Sequence, residues 1–221
     1  MAVQKEKRGS MSGEPERNTG EKEAVILAEC RDWAVCVKPA GPDSEKEFPE
    51  QVRRFLGGEV LPVHRLDRNV GGLILYARNR ASAAELSRIL QQGLLEKEYV
   101  AVCHGRPPEA EGRMEDLLWK DPAKNKVFVV DRPRGGVRKA ALRYRTLKET
   151  APGETLVGIR LETGRSHQIR VQFASRGCPL KGDHKYGARD REKNPALFCC
   201  GLSFPWQGEE KTFRLLPAWA E

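Results

Sequence analysis

Short runs of large apolar residues, separated by segments that contain glycine or proline, recur along the chain after residue 23. Runs of four to eight such residues, bounded by turn residues, are typical of buried β-strands. On this pattern, strands are predicted over 24–28, 33–37, 73–77, 99–103, 127–130, 140–147, 156–161, 198–204 and 211–215. The last two strands are expected to form a closing hairpin.

Three further segments space their apolar residues at intervals of three or four, which is typical of amphipathic helices. The first helix is predicted to begin at a capping box, Ser44 to Glu47, with one inward face made of Phe48, Val52, Phe55 and Leu56. The other two helices are predicted over 82–92 and 168–175. Strands and helices mix without strict β-α-β alternation, so the expected class is α+β with a mixed, largely antiparallel sheet and flanking helices.

The chain of 221 residues is long enough for one globular unit, predicted over 24–221. Residues 1–23 have almost no large apolar side chains and are predicted to form a disordered polar tail. No signal-peptide pattern and no apolar run of membrane-spanning length is present. The six cysteines match no zinc-ligand spacing. A cytoplasmic location is therefore expected.

Positive charge is concentrated in one part of the sequence. The formal net charge is +8, while the segment from Lys120 to Arg145 alone holds nine bases against two acids. Such a strip favours a polyanionic partner, through release of counterions along a phosphate backbone. The alternative interpretation is a solvated hairpin that aids solubility.

Asp67 is the acidic residue that most needs explanation. It lies within the basic segment Val63 to Arg68 and is followed by Gly71-Gly72 and an apolar strand. Flanking arginines favour the charged form of a carboxyl group, and adjacent glycines would let the backbone of a substrate come close. The alternative is a surface ion pair between Asp67 and Arg65 or Arg68, which would contribute little.

Three separated segments, taken together, resemble the RluA-type RNA pseudouridine synthases. Their patterns are H-R-L-D before a glycine and an apolar strand, K-x-Y-x-A-x-x-x-G, and G-R-[ST]-H-Q-[IL]-R-V with a later P-L-x-G-D-x-x-Y-G. This chain matches them at His64–Asp67, Lys97–Gly105, Gly164–Val171 and Pro179–Gly187. The resemblance extends from about Ile26 to the C-terminus and leaves out the polar tail.

The resemblance implies a pseudouridine synthase fold with a central RNA-binding cleft and an enzyme that isomerises a specific uridine in ribosomal or transfer RNA. By the family's pattern, Asp67 is the catalytic carboxylate, Arg170 is its ion-pair partner, and Tyr99 lies against the uracil. Whether the carboxylate attacks the sugar, attacks the base or removes a sugar proton stays open. No cofactor is implied, and a metal pair of His64 with Asp67 is rejected because no third ligand is suitably spaced.

The target uridine would have to leave its stack, since a stacked base cannot reach a closed pocket. Arg65 is placed to fill the vacancy, although a structural salt bridge is the alternative for this residue. The basic strip, including Lys124, Lys126 and Arg134, would hold the RNA backbone and set affinity. His64 and His167 are interpreted as orienting hydrogen-bond residues. We expect a monomer with no obligate protein partner and no separate N-terminal RNA-binding domain.

Two departures from the family's pattern stand out. Val70-Gly71 occupies positions where Thr-Ser is common, and Phe198-Cys199 occupies those of a frequent His-Ala pair. Neither changes the three residues assigned to chemistry. The alternative function is a non-catalytic RNA-binding or ribosome-assembly protein that keeps the fold; a binder, however, has no need of an acidic residue where phosphates approach.

Overall fold

The computed structural model describes residues 24–221, so the tail predicted over 1–23 lies outside the described residues. Within this range the strands form one eleven-stranded sheet. Their bounds are β1 Val25–Glu29, β2 Trp33–Lys38, β3 Leu61–Pro62, β4 Gly71–Ala77, β5 Glu96–His104, β6 Glu111–Asp121, β7 Lys126–Val130, β8 Val137–Ala151, β9 Glu154–Leu161, β10 Leu197–Trp206 and β11 Glu209–Arg214.

The strand order is β1-β2-β4-β10-β5-β9-β8-β6-β7, with β3 paired to β4 and β11 paired to β10. Every pairing is antiparallel except that of β10 with β4, which is parallel. The helices are α1 Glu47–Leu56, α2 Arg80–Gln91 and α3 Gln168–Ala174. This architecture confirms the predicted α+β class with a mixed, largely antiparallel sheet.

Strand β6 was missed by the apolar pattern because its sequence is mostly polar. Only Met114 and Leu118 of its eleven residues are buried; the other nine are exposed or half-exposed, and six of those nine carry a charge. It is nevertheless paired along nearly its full length with β8. Backbone pairing between two neighbouring strands, rather than burial of side chains, therefore places it in the sheet.

Helix α1 differs from its prediction at both ends. No side chain caps its N-terminus, because the hydroxyl of Ser44 donates to the carbonyl of Leu66 at 3.0 Å instead. The predicted capping box is therefore wrong. Phe55, predicted to face inward, is 53% exposed, whereas Phe48 and Val52 are fully buried.

Helix α2 agrees with its prediction and has a side-chain cap. The Asn79 side chain accepts a hydrogen bond from the Ser82 amide at 2.9 Å. All six cysteines are free, and five of them are buried. No helix within 24–221 has the length and apolar character needed to cross a bilayer.

Candidate active site

A cleft of about 910 Å³ opens beside the centre of the sheet. It is lined by the loop before β4, the start of β5 and the loop that leads into α3. Asp67, Tyr99 and Arg170, the three residues predicted to be catalytic, all line it, and so does Arg65. The sequence therefore identified residues that are distant in the chain and share one cavity.

Arg170 links two carboxylates at the edge of this cleft. Its Nη1 donates to Oδ2 of Asp67 at 3.1 Å, while Nε and Nη2 donate to the two oxygens of Asp183 at 2.7 and 2.8 Å. The side chains of Arg170 and Asp183 are 4% and 1% exposed, and that of Asp67 is 16% exposed. Burial opposes the charge of Arg170, but its hydrogen bonds and charge interactions with the two aspartates raise its pKa above the usual value.

Asp183 was missed as a site residue, although it stands in the P-L-x-G-D pattern of the resemblance. A guanidinium has five N–H donors, and a single carboxylate cannot satisfy them in a buried position. A second acidic residue near Arg170 could have been expected on this ground. Here Asp183 accepts two hydrogen bonds, from Nε and Nη2 of Arg170, so Nη1 is available to donate to Asp67.

The alternative interpretation of Asp67, a surface ion pair with a neighbouring arginine, is not what the structure shows. Arg65 instead pairs with Glu45 at 3.2 Å, and Arg68 pairs with Glu47. Both arginines are more than half exposed. The sequence had offered a salt bridge and a position beside the RNA as alternatives for Arg65. In the structure Arg65 both forms an exposed salt bridge and lines the cleft.

The two oxygens of Asp67 have different surroundings. Arg170 Nη1 approaches Oδ2 at 3.1 Å and His167 Nε2 approaches the same oxygen at 4.0 Å. No hydrogen bond from within residues 24–221 reaches Oδ1. The carboxylate is therefore held through one oxygen, and the other is left without a protein donor.

The loop that carries Asp67 is anchored by a buried lysine at the end of β2. Lys38 is 0% exposed, and its Nζ donates to the carbonyls of Pro39, Arg68 and Val70 at 2.8, 3.2 and 2.9 Å. Burial lowers the pKa of Lys38 to about 8. These hydrogen bonds hold the backbone on the C-terminal side of Asp67 in one shape.

The loop before α3 is shaped by Gln168. Its amide nitrogen donates to the Ala141 carbonyl at 3.0 Å, and its amide oxygen accepts from the Arg165 amide and the Thr163 hydroxyl. The chain then enters α3 through His167, whose φ of 51° lies in the left-handed region. This turn places Arg170 in the first turn of the helix, directed at both aspartates.

Tyr99 lies in β5, between β9 and β10 in the sheet, and is 6% exposed. Burial, followed by the neighbouring Cys199 and the charge of Asp67, raises the pKa of its phenol well above the usual value. Tyr99 is therefore a neutral phenol at physiological pH. It can present its ring to the cleft and retains a transferable proton.

The two site histidines make the hydrogen bonds expected of orienting residues. His64 Nε2 accepts from the amide of Leu75 at 3.1 Å, and His167 Nδ1 lies 2.8 Å from the hydroxyl of Tyr186. No group of three or more His, Cys, Asp or Glu residues within 24–221 is arranged to hold a metal ion.

Lys124, Lys126 and Arg134 do not line the cleft; they lie on the β6–β7 hairpin and the loop that follows it. Arg134 stacks over Trp119, with its guanidinium carbon 4.7 Å from the ring centroid. Besides Arg65 and Arg170, four bases line the cleft to which the sequence analysis gave no role of their own. They are Lys97, Arg143, Arg160 and Arg165.

Gly71 and Gly72 pack against β10 and do not line the cleft. A β-carbon on Gly72 would lie 2.8 Å from Cα of Cys199, and one on Gly71 would lie 3.4 Å from the ring of Phe198. The interpretation of this pair as an approach for substrate is therefore corrected. The two departures from the family's pattern, at 70–71 and 198–199, are neighbours across the β4–β10 pairing.

Comparisons with known proteins give one consistent result. A family profile described as RNA pseudouridylate synthase matches residues 32–175. The chain is 35% identical over 170 residues to RNA pseudouridine synthase 2, chloroplastic, of Oryza sativa subsp. japonica, which covers 71% of this chain and 37% of the relative. It is also 32% identical over 137 residues to ribosomal large subunit pseudouridine synthase C of Rickettsia prowazekii. That match covers 62% of this chain and 45% of the relative.

The fold is also found among solved structures. Human RNA pseudouridylate synthase domain containing 1 matches with a TM-score of 0.78 at 21% identity, covering 91% of this chain and 86% of that one. This match confirms the predicted fold. The chain spans less than half the length of the two curated relatives.

Proposed function

We propose that this chain, which belongs to the RNA pseudouridylate synthase family, isomerises a uridine within structured RNA to pseudouridine. The reaction breaks the bond between N1 and the ribose, turns the uracil and rejoins it through C5. No atom is gained or lost, and no electrons leave the nucleoside. The observation that carries the proposal is Asp67, held by buried Arg170 with one oxygen free in the cleft.

The surroundings of Asp67 suit a carboxylate that acts on a bound nucleoside. Its Oδ2 is occupied by Arg170, so Oδ1 is the oxygen that would meet the sugar or the base. Because Arg170 is also held by both oxygens of Asp183, the guanidinium cannot swing away when a substrate enters. A fixed partner of this kind keeps the carboxylate oriented before the reaction begins.

Tyr99 suits the second half of the reaction. Rejoining the ring through C5 leaves a proton on that carbon, and it must be removed to complete pseudouridine. A neutral phenol is not itself a base, so the Tyr99 oxygen would take the C5 proton only while passing its own proton to an ionised group such as Asp67, whose charge acts on this phenol. The ring would support the uracil by stacking. We assign these two tasks to Tyr99.

The size and charge of the cleft support a flipped nucleotide as the substrate. A cavity of about 910 Å³ is of the size that encloses a small molecule, whereas a stacked uridine could not enter it. Arg65, exposed at the rim, is available to take the vacated place in the RNA. The basic residues of the cleft wall would then contact the phosphates on either side.

The alternative of a non-catalytic RNA-binding protein is less well supported by this geometry. Two aspartates around one buried arginine contribute nothing to phosphate binding. A buried charge cluster is also costly to desolvate. A catalytic role explains why this charge cluster lies in the cleft, whereas affinity for RNA does not.

The test is Asp67→Asn, which keeps the size of the side chain and removes its charge. Purified wild type and variant would be incubated with total RNA from cells that lack the gene, and pseudouridine would be mapped by chemical modification and sequencing. We expect formation to fall by about 10³-fold or more, with RNA affinity largely kept. Asp32→Asn is the matched control, because Asp32 is remote from the cleft and accepts one side-chain hydrogen bond, from Asn79.

An Asp67→Asn protein with wild-type activity would contradict the assignment. A wild type that binds RNA but modifies neither ribosomal nor transfer RNA would favour the binding protein.

A further inference from the structure

Tyr186 connects the basic hairpin to the carboxylate of Asp67. It lies in the short turn His184–Tyr186, and its hydroxyl oxygen accepts a hydrogen bond from the Val127 amide in β7 at 2.9 Å. The same hydroxyl lies 2.8 Å from Nδ1 of His167. The next contact in the series is that of His167 Nε2, 4.0 Å from Oδ2 of Asp67.

The ring of Tyr186 is also in contact with two cations. The guanidinium carbon of Arg170 lies 5.2 Å from the ring centroid, and Nζ of Lys126 lies 5.3 Å from it. Cations at this distance are attracted to an aromatic face. Burial raises the pKa of the phenol to about 12, so the hydroxyl keeps its hydrogen at physiological pH.

The hydrogen-bond pattern determines where the imidazole of His167 carries its proton. The Val127 amide is a donor only, so it uses a lone pair of the Tyr186 oxygen. Within 24–221, Nδ1 of His167 is the one acceptor found within hydrogen-bond distance of this hydroxyl, so the hydroxyl hydrogen is directed to Nδ1, which accepts it. In a neutral imidazole the other nitrogen, Nε2, carries the hydrogen, and this is the nitrogen that faces Asp67.

His167 is held neutral by its position. Burial lowers its pKa, and the charges around it act in opposite directions: Asp67 and Asp183 raise it, while Arg170 and Lys185 lower it. The backbone at His167 is left-handed, with a φ of 51°. The lowered pKa favours the neutral imidazole, and Nδ1 of that ring faces the Tyr186 hydroxyl.

We propose that Tyr186 is a positioning residue that fixes the tautomer of His167, so that Nε2–H faces Oδ2 of Asp67 across 4.0 Å and favours its charge, while Arg170 holds that oxygen and Oδ1 is left for the nucleoside. The proposal deepens the proposed function and rests on it. Without the Tyr186 hydroxyl, Nδ1 could carry the hydrogen instead. Nε2 would then present a lone pair to the carboxylate and repel it.

The experiment uses Tyr186→Phe, which removes the hydroxyl and keeps the ring between its two cations. Tyr144→Phe is the matched control, since the Tyr144 ring packs in the core against Phe173 at 5.8 Å and no hydrogen bond of its hydroxyl is found within 24–221. Nitrogen-15 NMR of histidine-labelled protein distinguishes the Nδ1–H and Nε2–H tautomers without RNA. The chain has four histidines, and His167→Asn assigns the signal.

We expect wild type and Tyr144→Phe to show His167 as the Nε2–H tautomer, and Tyr186→Phe to show a mixture or the other form. With substrate RNA, the single-turnover rate of Tyr186→Phe should fall about tenfold, while its affinity for RNA changes less than twofold. A purely structural role would not separate rate from affinity in this way.

An unchanged His167 signal in Tyr186→Phe would overturn the proposal, and so would an unchanged single-turnover rate. If wild type modified no RNA, the proposed function and the catalytic role of Tyr186 would both fall. The tautomer measurement distinguishes that case, because it would still show whether Tyr186 controls His167.

Discussion

At the scale of single residues, His64 shows how a buried polar group ties the loop that carries Asp67 to the sheet. Its Nε2 accepts the amide hydrogen of Leu75 in β4, which requires that nitrogen to be unprotonated. Burial lowers the pKa of His64 to about 3. The folded protein therefore keeps His64 neutral at pH values where an unfolded chain would protonate it.

This difference in the protonation of His64 predicts that the folded protein loses stability in acid. Between about pH 6.5 and pH 3 the unfolded chain binds one more proton at His64, so the free energy of unfolding decreases as pH falls, by up to about 1.4 kcal/mol per pH unit. His64→Gln keeps an acceptor for the Leu75 amide and removes the titration. We expect its unfolding free energy, measured in urea from pH 7.5 to 4.5, to depend on pH less steeply by about 1 kcal/mol per unit.

His184→Gln is the control for this prediction, because the opposite sign applies to it. Hydrogen bonds to the carbonyls of Glu192 and Ala188 raise the pKa of His184, so its removal should steepen the pH dependence. Equal slopes in wild type and His64→Gln would show that His64 is not buried as described.

At the scale of elements, the pairing of β4 with β10 fixes the position of the loop that carries Asp67. It is the parallel pairing in an otherwise antiparallel sheet, and Gly72, with a φ of 125°, lies directly against the backbone of Cys199. Val70 and Asp67 precede β4 on the same stretch of chain. A shift of β4 against β10 would therefore move the loop that carries Asp67.

Gly72→Ala is predicted to destabilise the protein by about 3 kcal/mol. The new β-carbon would overlap Cys199, and the left-handed backbone disfavours any side chain. Gly135→Ala is the matched control, because a β-carbon there meets nothing within 4 Å and a change below about 0.5 kcal/mol is expected. Both are measured by urea unfolding; similar stabilities would show that β4 can move away from β10 at little cost.

The same elements show what a sequence can predict. Strands β2, β4 and β5 were predicted because burial on both faces makes their sequences almost wholly apolar, and the choice of Asp67, Tyr99 and Arg170 came from motif resemblance. Strand β6 and the start of α1 were not predicted correctly, since both depend on distant partners: β6 on pairing with β8, and Ser44 on the carbonyl of Leu66. Hydrophobic patterns record burial, but they do not record which distant polar group a side chain will meet.

At the scale of the whole molecule, positive charge occupies two separate surfaces. The cleft wall holds Arg143 and Arg160, paired with Glu162 and Glu96. The hairpin surface is defined as Lys124, Lys126 and Arg134. Lys126 also lies over Tyr186, so the hairpin is in contact with the residue that faces His167.

We predict that the hairpin surface carries part of the RNA backbone. Lys124→Gln combined with Arg134→Gln should weaken RNA binding and reduce the slope of log affinity against log salt by about 0.7 to 0.9 for each phosphate that the variant no longer neutralises. Arg80→Gln is the control, because Arg80 is 92% exposed at the start of α2 and does not line the cleft. Filter binding over a range of potassium chloride concentrations measures the slopes. Identical slopes in the parent and the double variant would show that the hairpin surface does not contact the RNA backbone.

The packing of Gly71 against Phe198 has a consequence for anyone who exchanges segments between relatives. A β-carbon at position 71 would already lie in van der Waals contact with the Phe198 ring, at 3.4 Å, so an atom beyond that carbon would have to pack around the ring. A chimaera that imports serine at position 71 while retaining Phe198 would add such an atom between β4 and β10. Such grafts should therefore carry both strands from one parent.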